Sequence, residues 1–306
     1  METPATARFA ASFSVHAFYD EATGTVSYVL HDHATRLAAV IDPVWDLNAK
    51  SGRTSTQSAQ KLLKHLQSEQ LRLAWVLETH AHADHLSAAQ WLRAQMPHQA
   101  APVAIGAHIT TVQKVFASIY GIESAIEPGG ADFDRLLADG EVLALGKTSI
   151  RAVSVPGHTP ADLAYVVLSA DGAAAAIFVG DTLFMPDVGT ARCDFPGGDA
   201  HALYQSIRKL LAYPGHTPLL VCHDYPPATG RAMRWHTTVA EQRAHNIHVH
   251  DGVSEADFVQ MRQARDATLD MPALMLPAVQ VNIRAGKLPE ADAQGRRFFK
   301  LPINRF

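Results

Sequence analysis

The chain has 306 residues and an ordinary globular share of apolar and charged residues, enough for one large α/β domain or two small ones. A net charge of −4 and a pI near 6.5 leave no basic footprint, which argues against nucleic acid and anionic membrane as partners. Two cysteines, Cys193 and Cys222, make no disulfide framework, no apolar stretch approaches a membrane span, and the start lacks a basic n-region, so the expected compartment is the cytoplasm.

Taken in order, Phe13 to Tyr19, Val26 to Leu30 and Leu37 to Ile41 read as strands of antiparallel hairpins, with Gly24 and His31-Asp32-His33 as turn material. Asp42-Pro43 ends the third strand. A buried acid there can orient a ligand histidine, and a plain turn residue is the equal alternative. Lys50 to Thr56 reads as a polar loop. Ala59, Leu62, Leu63 and Leu66 then fall at helical spacing.

The next stretch organises the chain. An apolar strand, Leu73 to Leu77, runs into Thr79-His80-Ala81-His82-Ala83-Asp84-His85, and a helix is expected from Leu86 to Met96. His80 and His82 are two apart, so an extended backbone aims both the same way. Asp84 and His85 fall where the helix should begin, with Asp84 suited to its first turn. Imidazole and carboxylate are ligands of zinc and non-haem iron. The chain holds seventeen histidines, and most of the others, such as His65 and His98, read as solvated or structural.

Pro102 to Ile105 is a short strand, Ile109 to Tyr120 a helix, and Val142 to Leu145 and Ile150 to Val155 two β-like runs. Pro156-Gly157-His158-Thr159-Pro160 closes the second run, which holds His158 at a strand end as His80 is held. Leu163 to Leu168 and Ala174 to Val179 are further strands, and the latter ends at Gly180-Asp181-Thr182. The long loop from Phe184 to Gly198 carries Arg192, Cys193 and Asp194, and long loops at the active end of a sheet tend to carry function. A helix follows over His201 to Leu211. Leu219 to Val221 is a buried strand ending at Cys222-His223-Asp224-Tyr225. Val239 to Ile247 and Ala256 to Leu269 read as helices, Pro272 to Val279 as a short apolar segment, and the tail from Asn282 as loop. No linker splits residues 1–306, which favours one domain with a mainly helical extension from about residue 237.

Four strand ends thus present His80/His82/Asp84/His85, His158, Asp181 and His223. Their wide spacing requires a fold that gathers strand ends, and two strand-rich halves suggest two packed sheets with helices outside. In order and type these motifs resemble the metallo-β-lactamase superfamily, which implies an αββα sandwich of two mixed sheets with metal at one edge. Within it, Gly189-Thr190-Ala191-Arg192-Cys193-Asp194-Phe195, His223-Asp224-Tyr225, Thr238 to Arg243 and Asn282-Ile283-Arg284-Ala285-Gly286 are similar to segments of the persulfide dioxygenases. Ala191 departs from that family's loop, where a second glycine stands. The segment between His85 and His158 is longer than in the mitochondrial member.

The resemblance implies one Fe(II) per chain, held by His80, His158 and Asp181. Such a triad leaves three positions open, as an oxygenase needs for O2 and substrate together. His82, Asp84, His85 and His223 would then orient ligands and bind water. Hydrolytic relatives use all seven positions for two metals, typically zinc, with Asp181 bridging. Ligand count does not separate the two. The implied substrate is glutathione persulfide, with Arg192 to clamp a carboxylate and Tyr225 to hydrogen-bond the peptide or sulfur. A salt bridge to Asp194 is the bland role for Arg192, and packing that for Tyr225. Asn282 and Arg284 would brace the pocket or the fold, and Cys193 and Cys222 are expected to be buried bystanders. The family often forms dimers, which admits a homodimer. The rival readings are a glyoxalase II-like hydrolase of glutathione thioesters and a non-catalytic sulfide or redox sensor.

Overall fold

Strands that are apolar on both faces need cover on both sides, and the chain supplies it in four layers. The computed structural model describes residues 5–96, 98, 101–226 and 230–305. Among the described residues, the first sheet runs in the order β1 (Ala5–Ala10), β2 (Phe13–Asp20), β3 (Thr25–Asp32), β4 (Leu37–Ile41), β7 (Arg72–Leu77), β9 (Val103–Gly106) and β10 (Arg135–Leu137). Its first four strands are antiparallel hairpins, and the β4–β7, β7–β9 and β9–β10 pairings are parallel. The second sheet runs β11 (Val142–Leu145), β12 (Thr148–Ser154), β13 (Leu163–Leu168), β14 (Ala174–Phe178), β15 (Pro218–Leu220) and β16 (His236–Thr238). Only its β14–β15 pairing is parallel.

Alternation decides which layer each side chain joins. In β4, Ala39 and Ile41 face the second sheet, while Ala38 and Val40 face the outer helices. In β13, Leu163, Tyr165 and Val167 point inward, and Ala164 and Val166 point outward. The inter-sheet core includes Tyr28 against Phe178, with ring centroids 5.0 Å apart. Helices α1 (Gln57–Ser68), α2 (Ala89–Gln95), α3 (Ile109–Tyr120) and α7 (Met275–Asn282) cover the first sheet. Helices α4 (Ala200–Leu211), α5 (Val239–His245) and α6 (Glu255–Asp266) cover the second. This is the expected αββα sandwich. No helix among the described residues is long and apolar enough to cross a membrane.

Four local expectations are corrected. His31 and Asp32, read as turn material, close strand β3, paired with Ser14 and Phe13 of β2. The helix expected from Leu86 begins only at Ala89, because Leu86–Ser87 forms a short strand, β8, against Val44–Asn48, β5. Asp84 and His85 therefore sit in a turn before a strand, not in a helix's first turn. The polar loop at Lys50 to Thr56 contains strand β6 (Arg53–Ser55), which pairs with β5 and has no buried face to betray it in sequence. The apolar segment from Pro272 becomes helix α7, which runs to Asn282.

Candidate metal centre

The parallel pairing of β4 with β7 puts two carboxyl ends of the first sheet side by side. In the second sheet, β12 and β14 run the same way because each is antiparallel to β13, and β15 is parallel to β14. The loops after these five strands carry Asp42, His80–His85, His158, Asp181 and His223. A backbone bond from Leu163 N to Thr79 O, 2.9 Å, ties the two sheets together at this edge.

Four groups of ligand atoms converge here among the described residues, among them His82 with Cys222 and His223, and His82 with Asp42 and Glu78; the other two hold expected ligands throughout. His80, His158 and Asp181 bring one atom each within 4.8 Å of one another, as do His82, Asp84 and His85. Asp181 stands between these two. Its Oδ2 lies 3.7 Å from His80 Nε2 and 3.6 Å from His158 Nε2, while its Oδ1 lies 3.4 Å from His223 Nε2. His223 Nε2 is also 3.6 Å from Asp84 Oδ2.

Neighbouring groups set the ring orientations. Asp42 accepts the Thr79 N–H at 2.7 Å and the Thr79 hydroxyl at 2.9 Å. That leaves Thr79 Oγ1 to accept from His80 Nδ1, 3.0 Å away, and frees Nε2 for a ligand. His158 Nδ1 donates to the Arg192 carbonyl at 2.8 Å, which bares its Nε2 likewise. Through Thr79 the acid at this strand end takes the orienting role toward His80 rather than that of a plain turn residue, and its Oδ1 also lies 3.0 Å from His82 Nε2 without forming a hydrogen bond.

Buried atoms without partners test whether a cation fits. His80 Nε2, both ring nitrogens of His82, His85 Nε2, His223 Nδ1 and Asp181 Oδ1 are buried with no hydrogen bond. Leaving so many polar atoms unsatisfied is costly, and a metal ion relieves it. Burial first, then facing imidazoles, push His80 and His82 well below the usual histidine range, so both present neutral lone pairs. For Asp84, burial pushes the carboxyl up, but the His223 and His85 imidazoles outweigh it and hold it well below the carboxylate range. The residues present fit a metal.

A cavity of about 310 Å³ opens onto this edge, with Asp84, His158, Asp181 and His223 at one end and Arg192 and Tyr225 on its walls. Tyr225 stacks on His223, with centroids 5.7 Å apart and planes 8° apart. Gly24 makes room for it, since a Cβ there would come within 2.6 Å of the Tyr225 ring. The Arg192 guanidinium is already engaged within the protein on three of its N–H groups. Its Nε and Nη2 grip Asp194 at 2.6 Å each, and its Nη1 donates to the Asp270 carbonyl at 2.7 Å. Cys193 and Cys222 are buried, and burial pushes both thiols up.

Two residues that the sequence left unmarked or open shape the histidine turn. Glu78 is buried beneath it, bonded through Oε1 to the Ser87 hydroxyl, with Oε2 3.7 Å from His82 Nε2. Asn282, at the end of α7, donates to the carbonyls of His82 at 2.8 Å and His85 at 2.7 Å, and accepts from Ser87 N at 2.7 Å. It therefore braces the site, whereas Arg284 pairs with Glu290, 3.4 Å away.

The sequence profile described as the metallo-beta-lactamase superfamily matches residues 21–223. The chain belongs to the metallo-beta-lactamase superfamily. A probable metallo-hydrolase of Burkholderia pseudomallei is 54% identical over 95% of this chain and 99% of its own length. Glyoxylase B2 of Dictyostelium discoideum is 44% identical over 95% of this chain and 97% of its own. The mitochondrial persulfide dioxygenase ETHE1 of Bos taurus is 30% identical over 86% of this chain and 84% of its own. Among solved structures, ETHE1 from Myxococcus xanthus superposes with a TM-score of 0.68 at 26% identity, covering 89% of this chain and 99% of that one. Superfamily membership accounts for the strand-end ligands and for the metal they fit. The names among these relatives are thus metallo-hydrolase, glyoxylase and persulfide dioxygenase.

Proposed function

We propose that this chain is a persulfide dioxygenase. It converts a glutathione-type persulfide, O2 and water to the free thiol and sulfite. The sulfane sulfur loses four electrons, O2 gains them, and water cleaves the sulfur–sulfur bond. The observation that carries this reading is the likeness of the Gly189–Phe195 and Asn282–Gly286 segments, and of the chain as a whole at 30% identity, to persulfide dioxygenases. The ligands that likeness implies, His80, His158 and Asp181, converge within 4.8 Å of one another. These residues would hold one Fe(II). A ferrous ion in a two-histidine, one-carboxylate set supplies redox chemistry between sulfur and O2 at its open positions.

The chain's own groups do the rest. The Arg192 carbonyl and the Asp42–Thr79 pair keep His158 and His80 in the tautomers that bare Nε2. Phe184, Phe195 and Leu269 line the cavity with apolar surface, which limits water at the persulfide. Tyr225, fixed by stacking on His223, places a phenol at the wall as a hydrogen-bonding group for the carrier.

One observation favours a second reading. Asp181 turns Oδ1 to His223 and Oδ2 to His80 and His158, as a carboxylate bridging two metals would. That suits a glyoxalase II-like hydrolase with two zinc ions, in line with the relatives named metallo-hydrolase and Glyoxylase B2. Metal analysis of natively purified protein, with oxygen uptake on glutathione persulfide, separates the two. About one iron per chain with O2 consumption is expected. Two zinc ions with thioester cleavage and no oxygen uptake would overturn the dioxygenase.

A further inference from the structure

Three guanidinium groups line the cavity, and two are already paired. Arg192 is forked onto Asp194. Arg262 is buried and donates to Asp266 Oδ1 from Nε at 2.9 Å and Nη2 at 2.6 Å, and to the Thr190 carbonyl at 3.2 Å. Arg265 differs. It sits near the end of α6, exposed at the cavity wall, and among the described residues its guanidinium has no hydrogen-bond or ion-pair partner. Asp270, just past that helix, also lines the cavity. Its carbonyl serves Arg192, but its carboxylate has no partner among the described residues.

An unpaired cation and an unpaired anion on one wall, apart from each other, complement a zwitterion. We propose that Arg265 and Asp270 form a receptor for the α-amino-acid head of the persulfide carrier, with Arg265 taking the carboxylate and Asp270 the ammonium. This deepens the dioxygenase reading and rests on it for the identity of the carrier. Arg265 suits the task because a free planar fork matches a carboxylate bidentately, which Arg192 can no longer do. Leu269 and Pro272 line the same cavity and give the carrier's methylenes an apolar surface. The volume, about 310 Å³, lies at the small end of the range for ligands of tripeptide size.

The test uses the metal-loaded protein and two readouts, glutathione affinity by calorimetry and steady-state oxygen uptake. Arg265→Ala should weaken glutathione binding about tenfold or more, and the loss in turnover should fall on KM rather than kcat. Arg265→Lys should recover part of it. Asp270→Asn should weaken glutathione yet leave 3-mercaptopropionate, which has no ammonium, unaffected. Equal glutathione affinity in the parent, Arg265→Ala and Asp270→Asn proteins would overturn the receptor. So would a parent that turns over small persulfides but does not bind glutathione. A parent that binds glutathione through Arg265 but consumes no O2 would leave the receptor standing and remove the dioxygenase.

Discussion

His16, His31 and His65 are buried, though less deeply than the metal-centre histidines, and each has a buried ring nitrogen with no partner: His16 Nε2, His31 Nδ1 and His65 Nε2. Their rings lie close, with centroids 5.3 Å apart for His16–His31 and 4.1 Å for His16–His65. Yet these three do not bring ligand atoms within 4.8 Å of one another, and no carboxylate joins them. Glu69, the nearest acid by charge, is 3.7 Å from Arg36. Position explains the difference. His16 and His31 lie inside β2 and β3, where neighbouring side chains stand nearly parallel at the strand spacing, and His65 comes down from α1. His80, His158 and Asp181 lie just beyond strand ends, where the backbone turns and side chains can aim at one point. Imidazole density does not make a metal site; convergence at strand ends with a carboxylate does.

The largest expected effect separates the two groups directly. Asp181→Ala removes the carboxylate that both halves of the centre share. Metal content at purification and turnover should each fall by more than about a hundredfold, since groups that merely orient ligands already cost 10–100-fold. A variant with His16, His31 and His65 all changed to Gln should keep its metal. Metal analysis of both proteins decides, and metal lost from the triple variant while folded would erase the distinction.

Asn282→Ala comes next. It strips the carbonyls of His82 and His85 and the Ser87 N–H of their partner without touching any ligand atom. Metal affinity should drop roughly 10–100-fold, and stability by about 1–3 kcal/mol from the buried groups left unpaired. A chelator competition series on the folded variant measures the first, and denaturant unfolding the second. A smaller effect is expected for Asp42→Asn, which keeps the shape and, at φ +50, the backbone that Asn tolerates. It loses an acceptor for Thr79, so His80 is less firmly held, and about a tenfold loss in metal affinity should follow. Unchanged affinity would show that Thr79 alone orients His80.

How much of this could be read in the sequence follows the same line. The residues that converge at the sheet edge were legible because each is a metal-binding residue type standing where an apolar run meets Gly, Pro or a polar turn. The four layers were legible because strands such as β4 and β13 are apolar on both faces. What escaped depends on tertiary choice. Glu78 carries no local signal, and Asp42 reads equally as an orienting acid or a turn residue, until the sheet edge buries them. Leu86 reads as helical because its pairing with Trp45 of β5 lies outside any local window. Arg192 reads as a carboxylate clamp until its fork closes on Asp194, two residues away. Arg265 carried no motif at all, since only the absence of a partner marks it.

The smallest effect belongs to the His16 group and concerns protons rather than metal. His16 is lowered from 6.5 to about 3, by burial first and then by His65, His31 and His33. His31 is lowered from 6.5 to about 4, by burial first, then by His33, Arg36 and His65, with Glu69 opposing. The folded chain thus keeps these rings neutral where the unfolded chain would protonate them. Their contribution to stability is complete above pH 6.5 and is lost progressively as pH falls from 6.5 toward about 4 for His31 and about 3 for His16. Acid loss of metal from the other group would destabilise the fold over the same window. The two are separated by comparing the parent with His16→Gln and His31→Gln at equal metal loading. Denaturant midpoints of the variants should fall less steeply with acid than the parent's, because an amide has no proton to take up. Parallel slopes in all three proteins would mean that these imidazoles take no part in the acid response.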